Sequence, residues 1–143
     1  MIRFTCALAL SLSLLAMAAA EEVKAPDLKG TWIPTEGMAA GQKFPDNFLT
    51  TTKLMLSDGR YTVVVGEEKE DGTCKMDFSK KPATCDIVAE SGANKGKSIP
   101  AIIEVSGDTM KVCYNMNGAD RPKDFTSTAE NKFVMMSYKR EKS

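Results

Sequence analysis

Histidine is absent from the 143-residue chain. That absence removes triads built around imidazole, histidine-ligated haem, and most zinc and iron enzyme sites. A surplus of either charge is missing too, with 19 basic side chains against 19 acidic ones. Nucleic acid and anionic membrane surfaces both demand a basic face, so neither is expected as a partner. No apolar run reaches the roughly 20 residues of a membrane-spanning helix. A phosphate-binding loop is lacking as well. Gly92-x-x-x-Gly96-Lys97-Ser98 is one residue short between its glycines and runs into β-forming residues rather than a helix. The acidic run Glu67-Glu68-Lys69-Glu70-Asp71 has no calcium-ligand spacing and reads as a solvated loop. No base, nucleophile pair or metal set converges, so the sequence predicts no enzyme, no cofactor and no metal.

What is present begins with an export signature. Arg3 supplies a positive start, Ala7 to Met17 an apolar stretch too short to span a bilayer, and Ala18-Ala19-Ala20 small residues before the polar Glu21-Glu22. Residues 1–20 are therefore expected to be a secretory signal that directs the chain to the periplasm or the exterior. The competing reading is a retained anchor. A lipoprotein signal would need a cysteine at the end of the apolar stretch, whereas Cys6 lies at its beginning. Residues 21–27 read as a flexible leader and residues 28–142 as one domain, of a size that can bury about two-thirds of its unfolded surface.

From Leu28 onward, short β-rich runs alternate with glycine-bearing turns about every ten residues, the pattern of an all-β barrel or sandwich. Around Asp58-Gly59, pairing sets Leu56 opposite Tyr61 and Leu54 opposite Val63 on one face. Around Gly107-Asp108, it sets Val105 opposite Met110, Ile103 opposite Val112 and Ala101 opposite Tyr114, with Glu104 and Lys111 paired on the other face. A slip of one residue would turn either apolar face outward. A third hairpin is expected from Gly72 to Ala89, with strands at Leu28–Ile33 and Lys132–Arg140 completing eight. Only Pro45–Thr50 reads as helical. Eight antiparallel strands in sequence order predict an up-and-down barrel.

Processing removes Cys6 and leaves Cys74, Cys85 and Cys113. A hairpin centred between Ser79 and Lys80 places Cys74 opposite Cys85, which predicts a cross-strand disulfide in an oxidising compartment. The alternative is two separate small hydrophobes sharing a face with Met76 and Ile87. Cys113 falls opposite Ile102, away from the Met110/Val112/Tyr114 face, with no base to activate it, and reads as inert. Methionines 38, 55, 76, 110, 116, 135 and 136 could supply soft Cu(I) ligands. Their scatter along the chain favours core or pocket-lining roles instead.

A set of ordered motifs carries a resemblance. These are Leu28-Lys29-Gly30-Thr31-Trp32, Asp58-Gly59-Arg60-Tyr61, Lys81-Pro82 followed by Cys85-Asp86-Ile87, and Gly92-Ala93-Asn94-Lys95-Gly96-Lys97. They continue with Gly107-Asp108-Thr109-Met110-Lys111-Val112-Cys113, Arg121-Pro122-Lys123-Asp124-Phe125 and the closing Tyr138-Lys139-Arg140-Glu141-Lys142. In order and spacing the chain resembles the lipocalin-like family of planctomycete paralogues, over Leu28 to Lys142. The resemblance implies a calycin barrel and brings no function. It also implies a structural role for Gly30 and Trp32, the tryptophan packing under an arginine from near the C-terminal end: Arg140, or else Arg121.

Two function classes follow. In the first, the barrel takes a small apolar or amphipathic ligand lined by Leu54, Leu56, Tyr61, Val63, Ile103, Val105, Met110, Val112 and Tyr114. In the second, the core is filled and the domain is an interaction module of the cell envelope, of protease-inhibitor type. It would meet a protein partner through the 34–48 connection, the longest loop expected.

Overall fold

A computed structural model describes residues 25–142. The expected signal at residues 1–20 and the start of the leader lie outside the described residues. The described residues form β1 (Gly30–Ala39), β2 (Gln42–Lys43), α1 (Asp46–Thr50), β3 (Thr52–Ser57), β4 (Arg60–Val65) and β5 (Glu68–Asp77). They continue with β6 (Ala83–Ala89), β7 (Ser98–Ser106), β8 (Thr109–Tyr114) and β9 (Val134–Arg140). Strands β1 and β3 to β9 pair antiparallel in sequence order, and β1 also pairs with β9, so the sheet closes into an eight-stranded barrel. The ninth strand, β2, adds only two residues to the far end of β1.

The first and last of the three hairpins have the expected registers. Leu56 faces Tyr61 and Leu54 faces Val63. Val105, Ile103 and Ala101 face Met110, Val112 and Tyr114, and Glu104 faces Lys111 across the outer side. Alternation then sorts each strand, with apolar side chains inward and polar ones outward.

Two elements differ from expectation, and a third adds an outer layer. The connection at 34–48 is no open loop: Pro34 to Ala39 continues β1 and pairs with β9, and the chain then reverses through Ala40 and Gly41, both at positive φ, into β2. Pro34 is accommodated beside a bulge between Pro34 and Glu36. Gly37 sits under Met136 and Phe44, where a Cβ would lie 2.4 Å from the Met136 sulfur, so any side chain there would push both aside. The acidic run is no loop either, since β5 starts at Glu68 and pairs with β4 throughout. Residues 115–133, between β8 and β9, fold back over the outer face of the barrel. Pro122 of this segment is fully buried, as are Ile102 and Cys113 on the outer face of the barrel.

The two arginines divide the work of closing this structure. Arg140 stacks on Trp32, its guanidinium carbon 4.6 Å from the ring centroid. It donates to the carbonyls of Lys29 at 3.1 Å and Asp27 at 2.8 Å. Its Nε lies 3.2 Å from Asp108, an ion-pair contact too far out of line to be a hydrogen bond. Trp32 is fully buried and donates its indole N–H to the Leu28 carbonyl at 2.9 Å. Arg121 acts on the outer face of the barrel. It bridges the carbonyls of Cys85 and Ala101 and pairs with Asp86, tying the outer connection to β6 and β7. Gly30, at φ 134°, lets the chain enter β1 in a conformation other residues avoid.

Replacing Arg140 by alanine removes a cation–π contact and two carbonyl partners and is expected to cost about 2–3 kcal/mol of unfolding free energy. Arg140→Lys keeps the charge without the fork and should recover less than half of that. Urea denaturation followed by circular dichroism measures both.

Candidate functional site

The inward faces of the strands do not fill the barrel. They enclose a cavity of about 310 Å³. Eight of the nine residues expected to line a pocket do so: Leu54, Leu56, Tyr61, Val63, Ile103, Met110, Val112 and Tyr114. Val105 packs half-buried against the core without reaching the cavity. Its register partner Met110 does reach it.

The cavity extends toward the opposite end, beside α1. Phe44 and Phe48 form part of its wall there, their rings stacked with centroids 4.6 Å apart. These two rings, with Val65, Met116 and Val134, are only half-buried, so this end meets solvent. The helix holds its place through Thr52, buried at the start of β3, whose hydroxyl donates to the Phe48 carbonyl at 2.7 Å. Spacing in the sequence could have flagged Val65, two residues beyond Val63 on the same face. It could not have flagged Phe44 and Phe48, which reach the cavity only because β2 and α1 fold across the barrel end.

Few polar groups interrupt this wall. Glu70, on β5, is the one carboxylate lining it among the described residues. It accepts a hydrogen bond from the Tyr61 hydroxyl at 3.1 Å and one from the Asn94 amide at 2.8 Å. Tyr61 reaches it by lying across Gly72, its register partner, where a Cβ would be 2.7 Å from the ring and 2.1 Å from the Val88 carbonyl. Burial, and then the Glu70 carboxylate, hold the Tyr61 phenol above its usual range. The hydroxyls of Tyr114 and Tyr138 lie 3.2 Å apart. Burial raises both, Tyr138 to about 12.

Cys74 and Cys85 also line the cavity, but as free thiols, and this corrects the expected disulfide. The hairpin ends are Gly72 and Ala89 as expected, but they face each other, which moves the centre of the turn to between Lys80 and Lys81. Cys74 therefore faces Ile87, and Cys85 faces Met76. The turn is shaped by Asp77, whose carboxylate accepts both the backbone N–H and the hydroxyl of Ser79 and ends the pairing at Asp77 and Thr84. The cysteines become diagonal neighbours on one face, a placement that does not bring sulfurs to bonding distance. Burial pushes the Cys85 thiol up to about 12, with Cys74 adding to it, and raises Cys74 as well. Cys113 faces Ile102 on the outer side as expected. It is fully buried, its sulfur 3.5 Å from the Thr126 carbonyl. Its neighbour Lys111 points instead to the Phe125 ring.

The methionines that scatter along the sequence converge in space, since Met76, Met110, Met116 and Met136 share the cavity wall. Among the described residues no three side chains of the His, Cys, Asp and Glu types gather as a metal-binding group. None of the helices there is long and apolar enough to cross a membrane. The geometry thus defines a closed antiparallel β-barrel with an apolar internal cavity. No protein-family model, curated protein or solved structure matches the chain.

Raised thiols and phenols give the pH dependence a sign. The folded state keeps protons that the unfolded chain releases, so their contribution is fully present below about pH 9 and is lost as pH rises through about 12. Urea midpoints should fall steadily over that window, and Cys85→Ala should flatten the fall. The same burial predicts that iodoacetamide at pH 8 labels none of Cys74, Cys85 and Cys113 in the native protein and all of them after unfolding, with reductant leaving the melting temperature unchanged.

Proposed function

We propose that the chain is an exported binding protein that holds a small apolar or amphipathic molecule inside its barrel. The observation that carries this reading is the cavity itself. Its 310 Å³ lies at the lower end of the about 300–1,000 Å³ typical of small-molecule sites, and its wall is apolar with a few placed polar groups. The half-buried rings at the α1 end supply an entry, while Trp32 and Arg140 seal the other end. Four methionines make part of the wall deformable, which suits a ligand of irregular shape. The export reading rests on residues 1–20, and the ordered motifs from Leu28 to Lys142 support a place in the lipocalin-like family. Binding rather than catalysis suits a lining whose ionisable groups, apart from Glu70, are phenols and thiols that burial keeps protonated.

Incubating the mature domain with a mixed lipid extract and recording native mass spectra tests the reading. The expected result is a stoichiometric adduct that Val63→Trp abolishes, because Val63 is half-buried on the cavity wall and an indole there fills the space. The variant should lose less than about 1.5 kcal/mol of stability, since added volume enters a void rather than a packed core. Absence of any adduct would favour the interaction-module reading, in which the surface rather than the interior is used.

A further inference from the structure

Resting on that reading, we infer that the cavity selects ligands by charge, taking an apolar chain with a cationic, amine-type head and refusing one with a carboxylate head. Among the described residues Glu70 is the only acidic side chain lining the cavity, and no lysine or arginine lines it. One hydrogen bond reaches each carboxylate oxygen, from Tyr61 and from Asn94. A carboxylate offers about four acceptor sites, so roughly half of its capacity is left for a ligand. An ammonium brings donors and the opposite charge, making a charge-assisted contact about twice as strong as a neutral one. A carboxylate head would bring like charge to a site with no counter-cation, in surroundings that screen poorly.

The position of Glu70 makes this workable. It is half-buried, toward the end that meets solvent, so neither its charge nor the ligand's head has to be fully dehydrated. Glu68 stands two residues earlier on the same face of β5, exposed opposite Val65, and extends the negative side of the opening. Lys69 lies on the other face, 3.8 Å from Asp71. Arg121 touches a lining residue only from the outer face, at the Cys85 carbonyl, and Lys97 does so at the rim. The Lys97 ammonium donates to the Met116 carbonyl at 3.2 Å, and it takes no part in the cavity wall.

Three ligands of one chain length separate the possibilities: decylamine, decanol and decanoate, titrated at pH 7.5 into the mature domain and into Glu70→Gln by calorimetry and native mass spectrometry. Glutamine keeps the size of the side chain and an acceptor for Tyr61, so the barrel should stay folded. The expected order is amine tightest, about tenfold over the alcohol, with decanoate weakest. In Glu70→Gln the amine should fall to the level of the alcohol while the alcohol stays within about twofold. Decanoate binding as tightly as decylamine, or an amine preference that survives Glu70→Gln, overturns the charge selection and leaves the cavity reading standing. Failure of all three ligands to bind overturns the cavity reading, and the selection with it.

Discussion

The pairing of β1 with β9 is the constraint on which everything else in this molecule rests. The other seven contacts between consecutive barrel strands are between neighbours in sequence and would form equally well in an open, curled sheet. Such a sheet would expose two edges and much of its apolar face. Closure needs the first and last strands to meet across the whole domain, and it is secured where their partners Trp32 and Arg140 face each other. The tryptophan fills the sealed end from inside, while the guanidinium stacks on it and takes the carbonyls of Asp27 and Lys29. One side chain thus joins the leader, the first strand and the last. The length of β1 follows from the same requirement, because its second half, past the bulge at Pro34, pairs with β9 up to Val134.

Closure produces an enclosed space only if the inward side chains leave one, and here they do so by pairing large with small. Tyr61 lies opposite Gly72, and Tyr114 opposite Ala101. Each ring occupies room that its partner gives up, and the hydroxyls reach Glu70 and Tyr138 respectively. Filling those small positions would displace the rings and with them the few polar groups that mark the wall. The cavity and its polarity therefore have a common origin in two cross-strand pairs.

Those pairs also show how far residue order alone can be followed. Registers across Asp58-Gly59 and Gly107-Asp108 were legible because a tight turn and period-two alternation agree, so one determines the other. The Cys74 hairpin was less so, because its longer turn carries Asp77 and Ser79, whose side-chain contacts move the centre by one position and separate the two thiols. Pro34 and Gly37 read as breakers within 34–48 but fit a strand. One sits at a bulge, and the other leaves room for Met136 and Phe44 packed above it. The stacked pair Phe44 and Phe48 joins the wall through tertiary placement of α1, for which no local pattern exists. The convergence of four methionines is of the same kind: distance along the chain says nothing about distance across a barrel.

The acidic run shows what a loop reading conceals. As a strand, β5 distributes its charges by alternation, placing Glu68 and Glu70 on the inner face and Lys69 and Asp71 on the outer. A shift of one residue would exchange them and put Lys69 in the cavity. Two contacts oppose that shift from opposite sides of the sheet. On the outer face the Thr62 hydroxyl donates to Asp71 at 2.6 Å, and on the inner face Tyr61 needs the bare backbone of Gly72 beside it. Any side chain in place of Gly72 would collide with the Val88 carbonyl as well as the ring. The sign of the charge inside the barrel is therefore set by the register of β5, and that register is held by a glycine two residues away from the carboxylate it positions.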